Sequence, residues 1–256
     1  MSRLYMVFLV LFITYGNCEA FIDNNEVSIN LGLRSYPFSG TVDGQIKSEK
    51  LLWDAREHAP WKFAMLQSKI TLASHGLAEV ALSVFPVGFL ELGANASTTS
   101  RFYETKNFDC SVVVCQGILS RSSVFGRMIL GHDFSFGSPF VLIGGSKTIL
   151  TVADETKPFV DEVEKLIGKA GQDELQVQSI GLGLKRSEGT ILVLYRQGKY
   201  KETSDKNEMV YLVYRTQIDS FKINTGIGQY QSNRFDSRFS AVLGISFAEG
   251  VSASLF

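Results

Sequence analysis

The sequence predicts an all-β fold, a transmembrane antiparallel up-and-down β-barrel of about ten strands, and three observations carry that prediction. Apolar residues alternate with polar or small ones along many segments. In Val27-Ser28-Ile29-Asn30-Leu31-Gly32-Leu33-Arg34 the odd positions are aliphatic, which gives a strand one apolar and one polar face. Glycines recur inside such segments (Gly32, Gly144, Gly145, Gly181, Gly183, Gly226, Gly228, Gly244) and not only between them, as a strongly curved sheet requires. The segments also run to about ten residues, the length a tilted strand needs to cross a bilayer, where strands of soluble sheets average about five or six.

Composition removes other classes. With 25 basic against 26 acidic side chains in 256 residues there is no cationic footprint, so nucleic acid is not an expected partner. At 45% hydrophobic and 12% aromatic the chain is too apolar to be disordered.

The N-terminus reads as a signal peptide over residues 1–20. Arg3 supplies the positive start, Leu4 to Tyr15 the apolar run, and Cys18-Glu19-Ala20 the cleavage site, leaving Phe21 as first mature residue and 21–256 as a single barrel domain. An uncleaved anchor fits less well because the apolar run falls short of the roughly 20 residues a helical span needs. Lipid attachment at Cys18 would need small residues where Tyr15-Gly16-Asn17 stands.

In chain order the expected strands are 26–36, 61–73, 77–92, 118–131, 138–153, 175–186, 190–201, 209–218, 221–230 and 238–256, the last overlong and bulged near Gly250. A twelve-strand version, with an extra pair inside 41–53, is the alternative. With both chain ends on one side, the short connections at Ser74-His75-Gly76, His132-Asp133, Ser187-Glu188-Gly189 and Asp219-Ser220 share that side. The longer stretches near 37–60, 93–117, 154–174, 202–208 and 231–237 then lie on the other. Within one of these, 158–168 predicts a short amphipathic helix, with Phe159, Val163, Leu166 and Ile167 on one face, Pro158 near the start and Gly168 or Gly171 as the stop.

The mature chain keeps two cysteines, Cys110 and Cys115. An even pair in an exported chain predicts a structural disulfide closing a small local loop; two sulfurs without a neighbouring histidine make a poor metal site, so no metal and no cofactor are expected. Opposite the aliphatic stripe the basic residues collect. Arg34, Arg121, Arg127, Lys147, Lys185 and Arg215, with Lys69, Arg196, Lys222 and Arg238, are candidate lumen-lining groups, against Glu79 and Glu91 as the chief acids on the same strands. Such a surplus in a narrow lumen predicts anion preference. If instead loop carboxylates neutralise these groups and side chains fill the interior, the barrel does not conduct. Phe140, Leu142, Leu150 and Val152, with Val80, Leu82 and Val84, offer a flat apolar outer face for a homo-oligomer.

Leader, alternation and the final Phe256 together resemble a bacterial outer-membrane β-barrel protein of porin-like kind, whose last strand ends in an aromatic residue. The resemblance implies residence in the bacterial outer membrane, contact with its lipids, and recognition of the C-terminal strand ending at Phe256 by the barrel-assembly machinery. The function it suggests is a narrow anion-preferring diffusion channel. The alternatives are a non-conducting barrel acting through its outer loops and a lipid-modifying enzyme. No enzymatic activity and no catalytic residue are expected, because His58, His75 and His132 fall in turns or loops without a serine signature such as G-x-S-x-G. The Asn95-Ala96-Ser97 sequon is read as incidental in that setting.

Overall fold

A computed structural model of the chain describes residues 24–37, 39–56, 63–73, 76–101, 108–161 and 163–249. The predicted signal peptide, His58, Ser74, His75 and the terminal residues through Phe256 lie outside them. Among the described residues, twelve antiparallel strands close a barrel. These are β1 (Asn24–Arg34), β2 (Ser39–Asp54), β3 (Phe63–Ala73), β4 (Leu77–Val87), β5 (Leu90–Arg101), β6 (Gly117–Gly131), β7 (Ser138–Val152), β10 (Gln172–Arg186), β11 (Gly189–Tyr200), β12 (Lys206–Ile218), β13 (Phe221–Ser232) and β14 (Arg238–Glu249). The remaining two, β8 (Phe159–Asp161) and β9 (Leu166–Gly168), form a separate two-stranded sheet. Each barrel strand pairs with its sequence neighbour except where β7 meets β10 directly, and β1 closes the ring against β14.

Twelve strands replace the expected ten, as in the alternative count, but the extra two are β2 and β5 and not a pair inside 41–53. β2 escapes notice because its lumen-facing side is charged (Asp43, Lys47, Glu49) and its outer side is broken by Gly44 and Ser48. β5 is built of small residues, Gly93 to Thr99, which read as a loop, yet it forms full ladders with β4 and β6. Missing β2 inverts the orientation of β3 and β4 until the missing β5 restores it. Gly76 therefore sits at the rim opposite Asn24 and Glu249, where its carbonyl accepts from Ser100 N (3.0 Å).

The two rims differ in chemistry. The lower rim holds the described chain ends and three two-residue turns, Gly88-Phe89, Ser187-Glu188 and Asp219-Ser220. In the last of these Asp219 adopts φ 52°, as a tight hairpin with right-handed twist requires. At the upper rim gather residues 108–116, 153–161, 163–171, 201–205 and 233–237.

Outside, the barrel is apolar. One continuous row runs Val141, Leu182, Val193, Leu212, Ile227, Ala241 through the ladders of six successive strands. Leu182 is 62% and Phe239 68% exposed, an arrangement water would not tolerate over a whole sheet but hydrocarbon does. Closure satisfies every ladder within the sheet, which lipid demands. Phe221 and Phe247 (ring centroids 5.3 Å) and the stacked Phe134 and Phe136 lie at the lower rim, where aromatic residues mark the membrane boundary.

β7 corrects two expectations. Its outward residues include Val141, Ile143, Lys147 and Ile149, while Leu150 and Val152 are buried inside and Phe140 packs against inward Gly183. The proposed oligomer face thus loses Phe140, Leu142, Leu150 and Val152 to the interior. Lys147 does not line the lumen; it pairs across the outer face with Val124 and Gln176. The parity misleads because the upper lumen is an apolar core, so both faces of this strand carry aliphatic residues.

Candidate functional site

The upper mouth is filled by the 153–171 connection. Residues 158–168 form the β8–β9 hairpin and not a helix: Phe159 pairs with Gly168, Val160 with Ile167 and Asp161 with Leu166. Gly168, read as a helix stop, is where the Phe159 ring lies; a Cβ there would sit 2.3 Å from the ring. Val163, expected on the apolar face, is exposed. Asp161 Oδ1 accepts from Val163 N (3.0 Å), and Lys165 turns the chain in the left-handed region at φ 58°.

Alternation then gives the hairpin two faces. Phe159 and Leu166 bury against Leu119, Leu150, Val152, Leu175 and Tyr200 of the barrel wall. Val160 and Ile167 bury against Val113 and Cys115 of the preceding connection. There Cys110 and Cys115 are joined by a disulfide (S–S 2.05 Å), and Val114 bridges to Phe159. Arg101, at the top of β5, donates to the carbonyls of Val114 (3.0 Å), Val160 (2.8 Å) and Gln116 (3.2 Å), clamping both connections to the wall.

Two buried ion pairs complete the closure. Asp161 receives Arg121 Nη2 at 2.9 Å and the Tyr200 hydroxyl at 3.1 Å, while Arg121 also donates to Thr99. Glu164 accepts both Arg196 η-nitrogens (2.7 and 2.5 Å), and its carbonyl accepts from Asn207 Nδ2 (2.6 Å). Burial opposes ionisation of Glu164, but the Arg196 guanidinium and the Asn207 amide win and hold its carboxyl below the usual range. Asp205 Oδ2 accepts from Ile167 N (2.8 Å) and Arg234 Nε (2.8 Å), tying the tip to its neighbours.

Of the remaining predicted lumen groups, Arg34 lies under the mouth with its guanidinium 5.5 Å from the Tyr230 ring, and Arg238 stands 5.1 Å over Tyr36. Arg127 pairs with Glu91 (2.6 Å), Lys69 with Glu79 (3.3 Å), and Lys222 with Glu26 (3.5 Å). Lys185 and Arg215 share one ladder row on either side of Thr190, and among the described residues neither has an acidic partner. The predicted basic surplus is therefore compensated at five of the ten positions, Lys69, Arg121, Arg127, Arg196 and Lys222. Asp161 and Glu164 were legible only as the polar side of a helix, and the acids of β2 only as loop charge. Asn95 faces the lumen from β5, so the sequon is not on an exposed loop.

Below the hairpin, between β3 and β6, a cavity of about 310 Å³ remains. Of the three histidines, His132 is described, its ring edge-on to Phe134 at 4.9 Å on the lower rim. Among the described residues no group of three or more His, Cys, Asp or Glu is placed to hold a metal ion.

A closed antiparallel barrel with an apolar outer wall is the fold of a membrane-spanning β-barrel. The chain resembles in fold an outer-membrane channel from Pseudomonas putida F1 (TM-score 0.54, 8% identity, over 91% of this chain and 98% of that one). Also similar are the NanC porin (TM-score 0.44, 10% identity, 86% and 98%) and the β domain of the Bordetella autotransporter BrkA (TM-score 0.43, 8% identity, 89% and 100%). No family model and no curated protein matches the sequence.

Proposed function

We propose that the protein is a narrow outer-membrane channel, closed at its outer mouth by the β8–β9 hairpin and anion-preferring once the hairpin leaves. One observation carries this reading. The hairpin is a sheet of its own, and β7 pairs directly with β10 beneath it, so its departure breaks side-chain contacts and the short backbone bridge to Val114 but no ladder of the barrel. The upper rim is then the cell exterior and the lower rim, with its short turns, the periplasmic side. Once the mouth is open, an ion meets Lys185 and Arg215 on one ladder row, with no acidic partner among the described residues, which favours anions.

The buried cluster around Phe159 and Tyr200 favours a second reading, a non-conducting barrel acting through its upper connections. Planar-bilayer recording of the refolded mature chain decides between them. Rare openings, made frequent by deleting 157–168, support the channel. Silence of both forms leaves the non-conducting barrel. Lipids of the outer membrane, the assembly machinery and a second copy meeting through Val80, Leu82 and Val84 are the partners this reading expects; crosslinking in intact membranes that returns monomer alone removes the last.

A further inference from the structure

We propose that the cavity between β3 and β6 is a binding site for a small neutral polyhydroxylated molecule of one or two sugar rings. The inference goes beyond the channel reading by assigning a ligand to one part of the lumen wall, and it rests on the wall and not on conductance.

Size comes first. About 310 Å³ lies at the small end of the roughly 300–1,000 Å³ typical of ligand sites. Charge comes next. The cavity is lined by two cations and two carboxylates, and they cancel within the wall: Lys69 with Glu79 at 3.3 Å and Arg127 with Glu91 at 2.6 Å. An anion, a cation or a zwitterion would have to compete with one of these pairs for its partner. A neutral polyol leaves both intact and uses what they do not: a carboxylate has lone pairs beyond a single ion pair, and guanidinium and ammonium carry further N–H groups.

Unclaimed polar groups point the same way. The Asn95 amide and the Ser83 hydroxyl line the cavity, and among the described residues neither side chain has a protein hydrogen-bond partner. An amide and a hydroxyl each both donate and accept, as vicinal hydroxyls require of a partner.

The last element is an aromatic surface. Phe125 reaches across from β6 to lie over Gly93 of β5, where an added Cβ would stand 2.3 Å from the ring and 2.8 Å from the Leu82 carbonyl oxygen. Only glycine leaves room for the ring at this position. The negative π face of such a ring attracts the slightly positive C–H groups on the face of a sugar ring and does nothing for an inorganic anion. An apolar surface, unpartnered amide and hydroxyl groups, and charges already neutralised together select a neutral polyol. Lys185 and Arg215, which have no acidic partner among the described residues and would hold an anion, are not among the residues lining it.

The test is calorimetric titration of the refolded, disulfide-bonded chain in micelles with sucrose, glycylglycine and sodium phosphate as separate probes. Saturable binding of sucrose alone is expected, weakened about tenfold or more by Phe125→Ala. Lys147→Gln, on the outer face, should leave it unchanged. Should Phe125→Ala fail to show the heat-modifiable migration of a folded barrel, Asn95→Ala removes only an unpartnered amide and should weaken sucrose severalfold. Absence of sucrose binding, tighter binding of glycylglycine or phosphate, or sucrose binding indifferent to these variants overturns the proposal. Sucrose binding by a chain that never conducts would retire the channel and keep the site; conductance without sucrose binding would do the reverse.

Discussion

Replacing Glu164 by Gln isolates the ion pair that holds the hairpin. The change preserves shape and removes the charge facing both Arg196 η-nitrogens at 2.7 and 2.5 Å. Breaking a buried pair costs about 3–5 kcal/mol because it strands the surviving charge. Arg196 keeps 26% of its side chain exposed, so water can recover part of that cost. The low end, about 3 kcal/mol, is the appropriate figure, and it corresponds to a shift of roughly a hundredfold between closed and open mouth. Single-channel recording reads this as open probability, and protease cleavage within 153–171 gives an independent readout. Two companions sharpen the result. Lys169→Gln breaks an exposed pair (3.9 Å, side chains 60% and 48% exposed) and should move the equilibrium by less than about twofold. Glu164→Gln combined with Arg196→Met removes both charges and should restore most of the closure. If Glu164→Gln and Lys169→Gln behave alike, or the double variant is as open as the single, the pair is not what closes the mouth.

Acid should open the channel late. Glu164 has its folded-state pKa depressed, so its contribution to closure is complete above the ordinary glutamate value of about 4.3 and is lost only as pH falls below that through the depressed value; an open probability that already climbs between neutrality and pH 5 contradicts this. Converting Cys110 and Cys115 to Ser should lower stability by roughly 2 kcal/mol on the loop-entropy model and loosen Val160 and Ile167, which pack beside Cys115, with denaturant melts and cleavage of 153–171 as measurements. Reversing Lys185 and Arg215 to Glu should swing the reversal potential toward cations, by less as salt rises and screening shortens. An unchanged potential in a conducting barrel would show that these two side chains do not face the ion path.

Where one face met lipid and the other met polar groups, period-2 alternation could be read directly: Val27, Ile29, Leu31 and Leu33, Val80 and Leu82, and Val210, Leu212 and Tyr214 face outward as expected. Two physical situations hid the rest. In β5 the outward positions Ala94, Ala96 and Thr98 are too small to announce an apolar face, and the strand exists because its neighbours pair with it. In β7 the interior is itself apolar, so Leu150 and Val152 looked no different from lipid-facing residues. The hairpin failed for a third reason. Spacing of Phe159, Val163, Leu166 and Ile167 satisfied a helix, but burial of Asp161 and Glu164 against arginines of distant strands decided the backbone, and those partners are brought together only by closing the barrel. The disulfide was legible because its two cysteines are five residues apart and need no fold to meet.

That short separation bears on the order of events during biogenesis. The bridge lies wholly within the connection between β5 and β6 and crosses no ladder, so it ties together no two strands that must later thread, slide or pair. Oxidation can precede insertion without prejudicing which hairpin enters the membrane first. It can equally follow insertion without trapping a half-closed sheet. A bridge from the same connection to β10 or β12 would have imposed a covalent sequence on assembly. Placed where it is, it leaves the kinetics of closure to the strands alone.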